Sequence, residues 1–75
     1  MNYIVFIFES THQVLKVEKI LKENNIKYDI IPTPKEFSSD CGMSVRIADS
    51  SEEINKIRLL LLNNHIAFQE YKKNA

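Results

Sequence analysis

The chain has 75 residues, of which 44% are hydrophobic and 27% are charged, a composition typical of one small globular domain. Ten basic residues balance ten acidic ones, and this zero formal charge argues against binding to nucleic acid or to an anionic membrane surface. The apolar runs are far shorter than the ~20 residues that cross a bilayer. The single cysteine excludes an internal disulfide and a cysteine zinc cluster, and it favours a reducing compartment, by default the cytoplasm. We therefore expect one domain over residues 1–75.

The first part of the chain predicts a strand, a helix and a second strand. Residues 3–8 are apolar and rich in β-branched and aromatic side chains, which is typical of a strand. Ser10 with Gln13 three residues later forms a capping box, so a helix is predicted to begin there. Asn24 and Asn25 predict its end, because asparagine tolerates the left-handed conformation. A half-buried strand is predicted next from the alternating apolar residues Ile26, Tyr28 and Ile30.

A loop and a third strand follow. Residues 32–41 contain two prolines and two serines and show no strand pattern, so they are predicted to form a loop. Apolar residues then alternate with Ser44, Arg46 and Ala48. This alternation predicts a third strand through Met43, Val45 and Ile47.

The last part of the chain predicts a second helix and a fourth strand. Ser50 with Glu53 is a second capping box, and Asn63 with Asn64 predicts the end of that helix. The fourth strand is predicted to begin at Ile66 and Phe68. Residues 72–75 are expected to be a frayed tail.

The two halves of the chain match each other at an offset of forty residues. The predicted helix caps align with each other, as Ser10 does with Ser50. The apolar residues of the two helices also align, as Leu21 does with Leu61. Two interleaved βαβ units predict an α+β fold, a ferredoxin-like βαββαβ two-layer sandwich with an antiparallel sheet of order 4-1-3-2. This topology brings the start of the first helix, the loop at residues 32–41 and His65 to one end of the domain.

Strand alternation separates a face that meets the helices from an open face of the sheet. The helices are expected to cover the side chains of Val5, Ile7, Ile26, Tyr28, Val45, Ile47, Ile66 and Phe68. The open face is then expected to carry an apolar patch that binds a second copy or a partner protein. Its predicted interface residues are Ile4, Phe6, Phe8 and Tyr71. The alternative is that exposed apolar groups are common and have no role.

Cys41 is followed by Gly42, the only glycine in the chain. A sole glycine predicts either a backbone conformation that a side chain would obstruct or a close approach of a partner to the sulfur. The first helix is expected to direct unpaired N–H groups toward Cys41, which favours the reactive thiolate. From the residues alone, the alternative of a small buried hydrophobic residue stays open, since free cysteines are among the most buried residue types.

Two strings in the sequence resemble a known family. They are Phe8-Glu9-Ser10-Thr11-His12 and the segment from Pro32-Thr33-Pro34-Lys35 to Ser38-Ser39-Asp40-Cys41-Gly42. Together they resemble a small bacterial family of selenium/sulfur carrier-like domains, and the resemblance covers nearly the whole chain. In sulfur carriers of the Cys-Pro-x-Pro type the prolines follow the cysteine, whereas here they precede it.

The resemblance implies that Cys41 holds sulfur or selenium as a persulfide or selenopersulfide. The residues that it implies around the thiol are Ser10, Thr11, His12, Pro34, Ser38, Ser39 and Gly42. It also implies a donor enzyme and an acceptor protein as partners, with no cofactor and no catalysis by this chain alone. His12 could hydrogen-bond the sulfur or be a solvated first-turn residue, and His65 is expected to be a plain turn residue. No ligand spacing supports a metal site.

Two other functions remain open from the sequence. One is a ferredoxin-like binding or regulatory module in which Cys41 is incidental. The other is a redox sensor in which Cys41 pairs between chains or with a small thiol. A carrier needs an exposed thiol that retains a sulfane atom, a binding module should tolerate Cys41→Ser, and a sensor should change its oligomeric state on mild oxidation.

Overall fold

The computed structural model describes residues 2–37, 42–49 and 51–74, and its elements follow the order βαββαβ. The elements are β1 (Asn2–Ile7), α1 (Thr11–Glu23), β2 (Asp29–Pro32), β3 (Met43–Ala48), α2 (Ser51–Asn63) and β4 (Gln69–Asn74). The strands form one sheet of order β2-β3-β1-β4 in which all neighbours are antiparallel. This is the predicted order 4-1-3-2 counted from the other edge, so the α+β class and the strand order are confirmed.

The first helix begins with the predicted cap. Ser10 has an extended backbone (φ −149°, ψ 157°), and its side-chain oxygen accepts a hydrogen bond from the N–H of Gln13 at 3.3 Å. The Gln13 Oε1 atom accepts from the N–H of Glu9 at 3.1 Å, one residue before the cap. These two bonds satisfy donors that a helix start leaves unpaired.

The first helix ends in a Schellman motif. Asn25 has φ of 56°, in the left-handed region, as the sequence predicted. Its N–H donates to the carbonyl of Lys22 at 3.2 Å, and the N–H of Ile26 donates to that of Leu21 at 3.0 Å. The side-chain amide of Asn24 donates to a carbonyl four residues earlier at 2.8 Å. The helix end is therefore closed by backbone and side-chain bonds together.

The end of the second helix repeats this arrangement forty residues later. His65 has φ of 56°, and the N–H of Ile66 donates to the carbonyl of Leu61 at 3.0 Å. The side-chain amide of Asn64 again donates to a carbonyl four residues earlier, at 2.7 Å. The internal repeat read from the sequence thus extends to individual hydrogen bonds. Ser50, the predicted cap of α2, lies outside the described residues.

Two strand boundaries differ from the prediction. β2 begins at Asp29 rather than at Ile26, and β4 begins at Gln69 rather than at Ile66. Ile26 and Ile66 close the Schellman motifs and are buried in the core, so the chain turns back toward the sheet before strand pairing starts. Residues 72–74 are not a frayed tail, because they continue β4 in register with Asn2, Tyr3 and Ile4.

The predicted facing of β1 was wrong. Ile4 lies opposite Ile47 and Phe6 opposite Val45 in the β1–β3 register, so these side chains share one face of the sheet. Ile4, Phe6 and Phe8 are only 6%, 1% and 2% exposed. They form one core with the buried residues of both helices, Val14, Val17, Leu21, Ile54, Ile57 and Leu61. Three of the predicted interface residues are therefore core residues.

The cause of this error is a one-residue difference between the two halves. The offset of forty aligns Val5 with Val45, and β1 is apolar on both faces, so alternation alone does not choose between them. The last core residue before α1 is Phe8, and the helix begins three positions after it. The last core residue of β3 is Ile47, and α2 begins four positions after it. A shift of one residue exchanges the two faces of a strand.

The open face, on the side away from the helices, is also partly covered. Val5 and Ile7 lie on it but are only 0% and 3% exposed. The ring of Phe37, after β2, meets the ring of Tyr71 on β4 edge-on, with ring centres 5.2 Å apart. Since β2 and β4 are opposite edges, residues 33–37 pass over the sheet, and we call them the crossing segment. Tyr71 lies on the open face, as predicted, directly opposite Val5.

Replacing Phe6 tests the corrected facing. The Phe6 ring lies in the core with its centre 5.6 Å from that of Phe68, so Phe6→Leu should lower the free energy of unfolding by about 1–2 kcal/mol. Leu59 is 61% exposed, and Leu59→Ala should change it by no more than about 0.5 kcal/mol. Urea titration followed by circular dichroism measures both. Equal losses in the two variants would contradict the placement of Phe6.

Candidate functional site

One end of the sheet gathers most of the predicted site residues. Ile7 lies opposite both Ser44 and Gln69, and Pro32 lies opposite Met43, so β1 and β2 end where β3 and β4 begin. The predicted residues Ser10, Thr11 and His12 follow β1 at this end, Pro34 follows β2, Gly42 precedes β3 and His65 precedes β4. The topology therefore brings these residues to the same end, as the sequence predicted.

The loop between β2 and β3 carries the remaining predicted residues. Ser38, Ser39 and Cys41 lie outside the described residues, and the expectations that Cys41 is exposed and faces α1 stay predictions. The described neighbours on either side are Phe37 and Gly42. The structure shows how the chain is anchored on these two flanks of the undescribed segment.

Both flanks of the loop are held by hydrogen bonds. The N–H of Thr33 donates to the carbonyl of Gly42 at 3.1 Å, which ties the two ends of the loop together. The hydroxyl oxygens of Thr33 and Ser44 are 2.8 Å apart, and Ser44 is fully buried. The N–H of Phe37 donates to the carbonyl of Pro34 at 3.1 Å, which closes a turn. With the Phe37–Tyr71 ring contact, these bonds fix the backbone up to the segment that contains Cys41.

Gly42 does not have the conformation that the sequence suggested. Its φ is not in the left-handed region, and a Cβ atom added to it would have no atom within 4 Å in the described structure. The prediction that a side chain would be obstructed there is therefore wrong. The other prediction, that the glycine admits a partner close to the sulfur, remains.

Three of the predicted polar residues lie at the ends of helices. The hydroxyl of Ser10 caps α1, and His12 is exposed in the first turn of that helix. His65 occupies the left-handed position that ends α2, which confirms it as a turn residue. Among residues 2–37, 42–49 and 51–74, no three side chains of the metal-binding types lie close enough together to hold an ion.

A groove of about 790 Å³ opens at the other end of the sheet, and it was not predicted from the sequence. It is lined by Tyr3, Lys27, Tyr28, Asp29, Arg46 and Glu53, together with Ile26 and Ala48. The guanidinium carbon of Arg46 lies 4.7 Å from the centre of the Tyr3 ring, and one of its nitrogens lies 3.1 Å from the Asp29 carboxylate. The signal that could have found this pair is the alternation that puts Asp29 and Arg46 on the open face of neighbouring strands.

Tyr28 links this end of the domain to α1. Its hydroxyl donates a hydrogen bond to the Oε2 atom of Glu18 at 2.7 Å. Burial, the hydrogen bond to Glu18 and the negative charge of Glu18 together raise the pKa of Tyr28 to about 12, and burial contributes most. The protonated phenol is therefore part of the folded structure over the whole neutral range.

Comparison with known proteins assigns the chain to a family. Residues 3–73 match the model of the family described as "Putative Se/S carrier protein-like", which includes both strings around His12 and Cys41. The chain belongs to the Se/S carrier protein-like family. No curated protein and no solved structure matches it. In the part of this family member that the structure describes, neither helix is long and apolar enough to cross a membrane.

The raised pKa of Tyr28 predicts a loss of stability at high pH. An unfolded tyrosine loses its proton near pH 10, whereas Tyr28 in the folded state keeps it to about pH 12. Between these values the folded state binds more protons, so the free energy of unfolding should fall as the pH rises from 10 to 12. In Tyr28→Phe this fall should be smaller, as measured by urea titration at several pH values in this range.

The variant Glu18→Gln separates the causes of this shift. It removes the negative charge but retains a hydrogen-bond acceptor, and burial is the largest cause of the raised pKa. The fall in stability should therefore be intermediate between those of the unaltered chain and Tyr28→Phe. Identical pH dependence in all three chains would show that Tyr28 does not titrate as described.

Proposed function

We propose that this protein carries sulfur or selenium on Cys41, as a persulfide or selenopersulfide, between a donor enzyme and an acceptor protein. The observation that carries the proposal is membership of the Se/S carrier protein-like family over residues 3–73, with Cys41 as the only cysteine of the chain. A sole cysteine suits a carrier, because no second thiol of the same chain can convert the adduct into a disulfide.

The transfer needs no oxidant. The thiolate of Cys41 attacks the terminal sulfur of a persulfide on the donor, the donor's S–S bond breaks, and the donor leaves as a thiolate while a new S–S bond forms on Cys41. The transferred sulfur stays zero-valent throughout. A nucleophile of the acceptor then attacks the terminal sulfur and releases the Cys41 thiolate. Selenium moves in the same way from a donor selenopersulfide, with an S–Se bond broken and formed.

The framework around the loop supports this chemistry. The start of α1 lies at the same end of the sheet as both flanks of the loop, and a helix start carries about half a positive charge, which stabilises a nearby anion. His12, exposed in that first turn, is placed to exchange a proton with a group at this end. Thr33, Ser44 and Tyr71 hold the two flanks of the loop in place.

Two further assignments belong to the proposal. The βαββαβ order, the strand order and the single core shared by both helices support a ferredoxin-like sandwich. The single cysteine of the chain favours a compartment that keeps thiols reduced, such as the cytoplasm. In this role the chain is a carrier that depends on a donor enzyme rather than an enzyme itself.

Intact-mass measurement tests the carrier function directly. The chain is incubated with a cysteine desulfurase and either cysteine or selenocysteine, and we expect the added mass of one sulfur or one selenium atom. Cys41→Ser should gain nothing. A peptide of residues 36–46 serves as the control for a cysteine outside the fold and should be loaded more slowly.

Two results would contradict either the carrier function or the role of the fold in it. One is the absence of an adduct on a Cys41 that an alkylating reagent does modify. The other is full loading of the peptide at the rate of the folded chain, which would remove any role for the fold. A disulfide-linked dimer formed under mild oxidation, with no retained sulfur, would instead favour the redox sensor.

The variant Gly42→Ala tests whether the glycine serves a partner. Because the position is exposed and a Cβ atom there meets nothing within 4 Å, the free energy of unfolding should change by less than about 0.5 kcal/mol. Transfer from the desulfurase should slow, since the added methyl group is on the residue that directly follows Cys41 in the sequence, while alkylation by a small reagent should keep its rate. Unchanged transfer would show that the glycine has no part in partner approach.

A further inference from the structure

The strands β2 and β4 are the two edges of the sheet, and hydrogen bonds at the strand ends determine which backbone groups point outward. The N–H of Thr33 donates to the carbonyl of Gly42, which continues the β2–β3 register by one pair. Hydrogen-bonded and non-hydrogen-bonded pairs alternate along an antiparallel ladder. Ile31 therefore bonds to β3, whereas the N–H and C=O groups of Ile30 point away from the sheet.

The outer edge of β4 carries charged side chains. The N–H of Asp49 donates to the carbonyl of Asn2, which continues the β1–β3 register in the same way. By the same alternation across β1, the residues of β4 whose backbone groups point outward include Glu70 and Lys72. Their side chains form ion pairs with Arg58 and Asp49. Charged side chains on an edge strand oppose its pairing with another chain.

The outward-pointing residue of β2 is apolar instead. Ile30 lies opposite the core residue Val45, and so on the helical face of the sheet, but it is 37% exposed. The hydrogen bond from Tyr28 to Glu18 sets one side of α1 beside β2, and Leu15, which is 57% exposed, lies one turn earlier on that side. From that bond, Leu15 and Ile30 both lie toward the end of the domain where α1 begins and β2 ends. They therefore flank the same stretch of the edge.

We propose that β2 pairs antiparallel with β2 of a second copy, about a two-fold axis at Ile30, so that the two sheets become continuous. In this register the N–H of each Ile30 donates to the C=O of the other, and both outward groups are used. A register that places Ile30 opposite Pro32 leaves the Ile30 carbonyl without a donor, because proline has no N–H. The Leu15 and Ile30 side chains of both copies then lie on the same face of the joined sheet.

A folded second copy suits this edge better than a flexible peptide does. β2 has four residues and ends in a proline, so it offers few hydrogen bonds to a partner. A flexible segment loses backbone entropy at every residue that it orders, and few bonds do not offset that loss. The β2 strand of a second copy is already ordered, and its length and its proline match those of the edge that it meets.

Sedimentation of two matched proline variants tests the proposal. All chains carry Cys41→Ser, so the outcome does not depend on the carrier function, and we expect a concentration-dependent dimer. Ile30→Pro removes an N–H that points away from the sheet, which an edge strand tolerates. It should raise the dissociation constant at least about tenfold, because the dimer loses two hydrogen bonds. Lys72→Pro removes an outward N–H from the other edge and should leave the constant unchanged. Circular dichroism verifies that each variant is folded.

Two leucine variants test the same edge without altering the backbone. Leu15→Glu places a charge on the apolar flank of β2 and should weaken the dimer. Leu59, which is 61% exposed on α2, provides the control, and Leu59→Glu should leave the dimer unchanged.

A cross-link tests the position of the axis. In the Cys41→Ser chain, Ile30→Cys introduces the only thiol, so any disulfide joins two copies. Residues paired across antiparallel strands have Cα atoms about 4.5–5.5 Å apart, within the range of a disulfide, so mild oxidation should link the dimer. Lys72→Cys should not link. A strict monomer at all concentrations, a dimer unaffected by Ile30→Pro and Leu15→Glu, or a dimer that Ile30→Cys does not link would overturn the proposal.

Discussion

The central strand β1 must be covered on both faces, and much of the structure follows from that constraint. Ile4 and Phe6 face the helices, while Val5 and Ile7 face the opposite side, and all four are buried. The two helices pack against the face that carries Ile4 and Phe6. On the other face, Arg46 and Tyr71 lie opposite Val5, and the ring of Phe37 in the crossing segment contacts Tyr71. The apolar composition of β1 therefore favours a connection that passes over this face.

Local features of the fold were predictable from the sequence. The cap at Ser10 and the left-handed residue Asn25 followed from short-range patterns whose physics lies within a few residues. The strand order followed from the repeat at an offset of forty residues. The face of β1 that meets the helices was not predictable in this way, since a strand that is apolar on both sides contains no alternation. It depends on how many residues connect the strand to the helix, and the repeat differs by one residue at that point.

For the candidate site, the position in the fold was predictable but the contacts that hold it were not. Topology alone placed Ser10, His12 and Gly42 at one end of the domain, because strand directions determine where each connection lies. The anchoring of the loop was not predictable, since the Thr33–Ser44 hydroxyl contact and the Phe37–Tyr71 ring contact join residues distant in sequence. The Arg46–Asp29 pair was also missed as a site, because a charge on a sheet surface usually indicates only contact with solvent.

The crossing segment connects the open face of the sheet to the loop that contains Cys41. The ring of Phe37 contacts Tyr71 on that face, and Phe37 stands four residues before Cys41 in the sequence. A partner that moved this segment would separate the two rings and expose their apolar surface, and that cost would be subtracted from its binding free energy. By reciprocity, a change that strengthens the contact between Phe37 and Tyr71 would weaken the binding of such a partner.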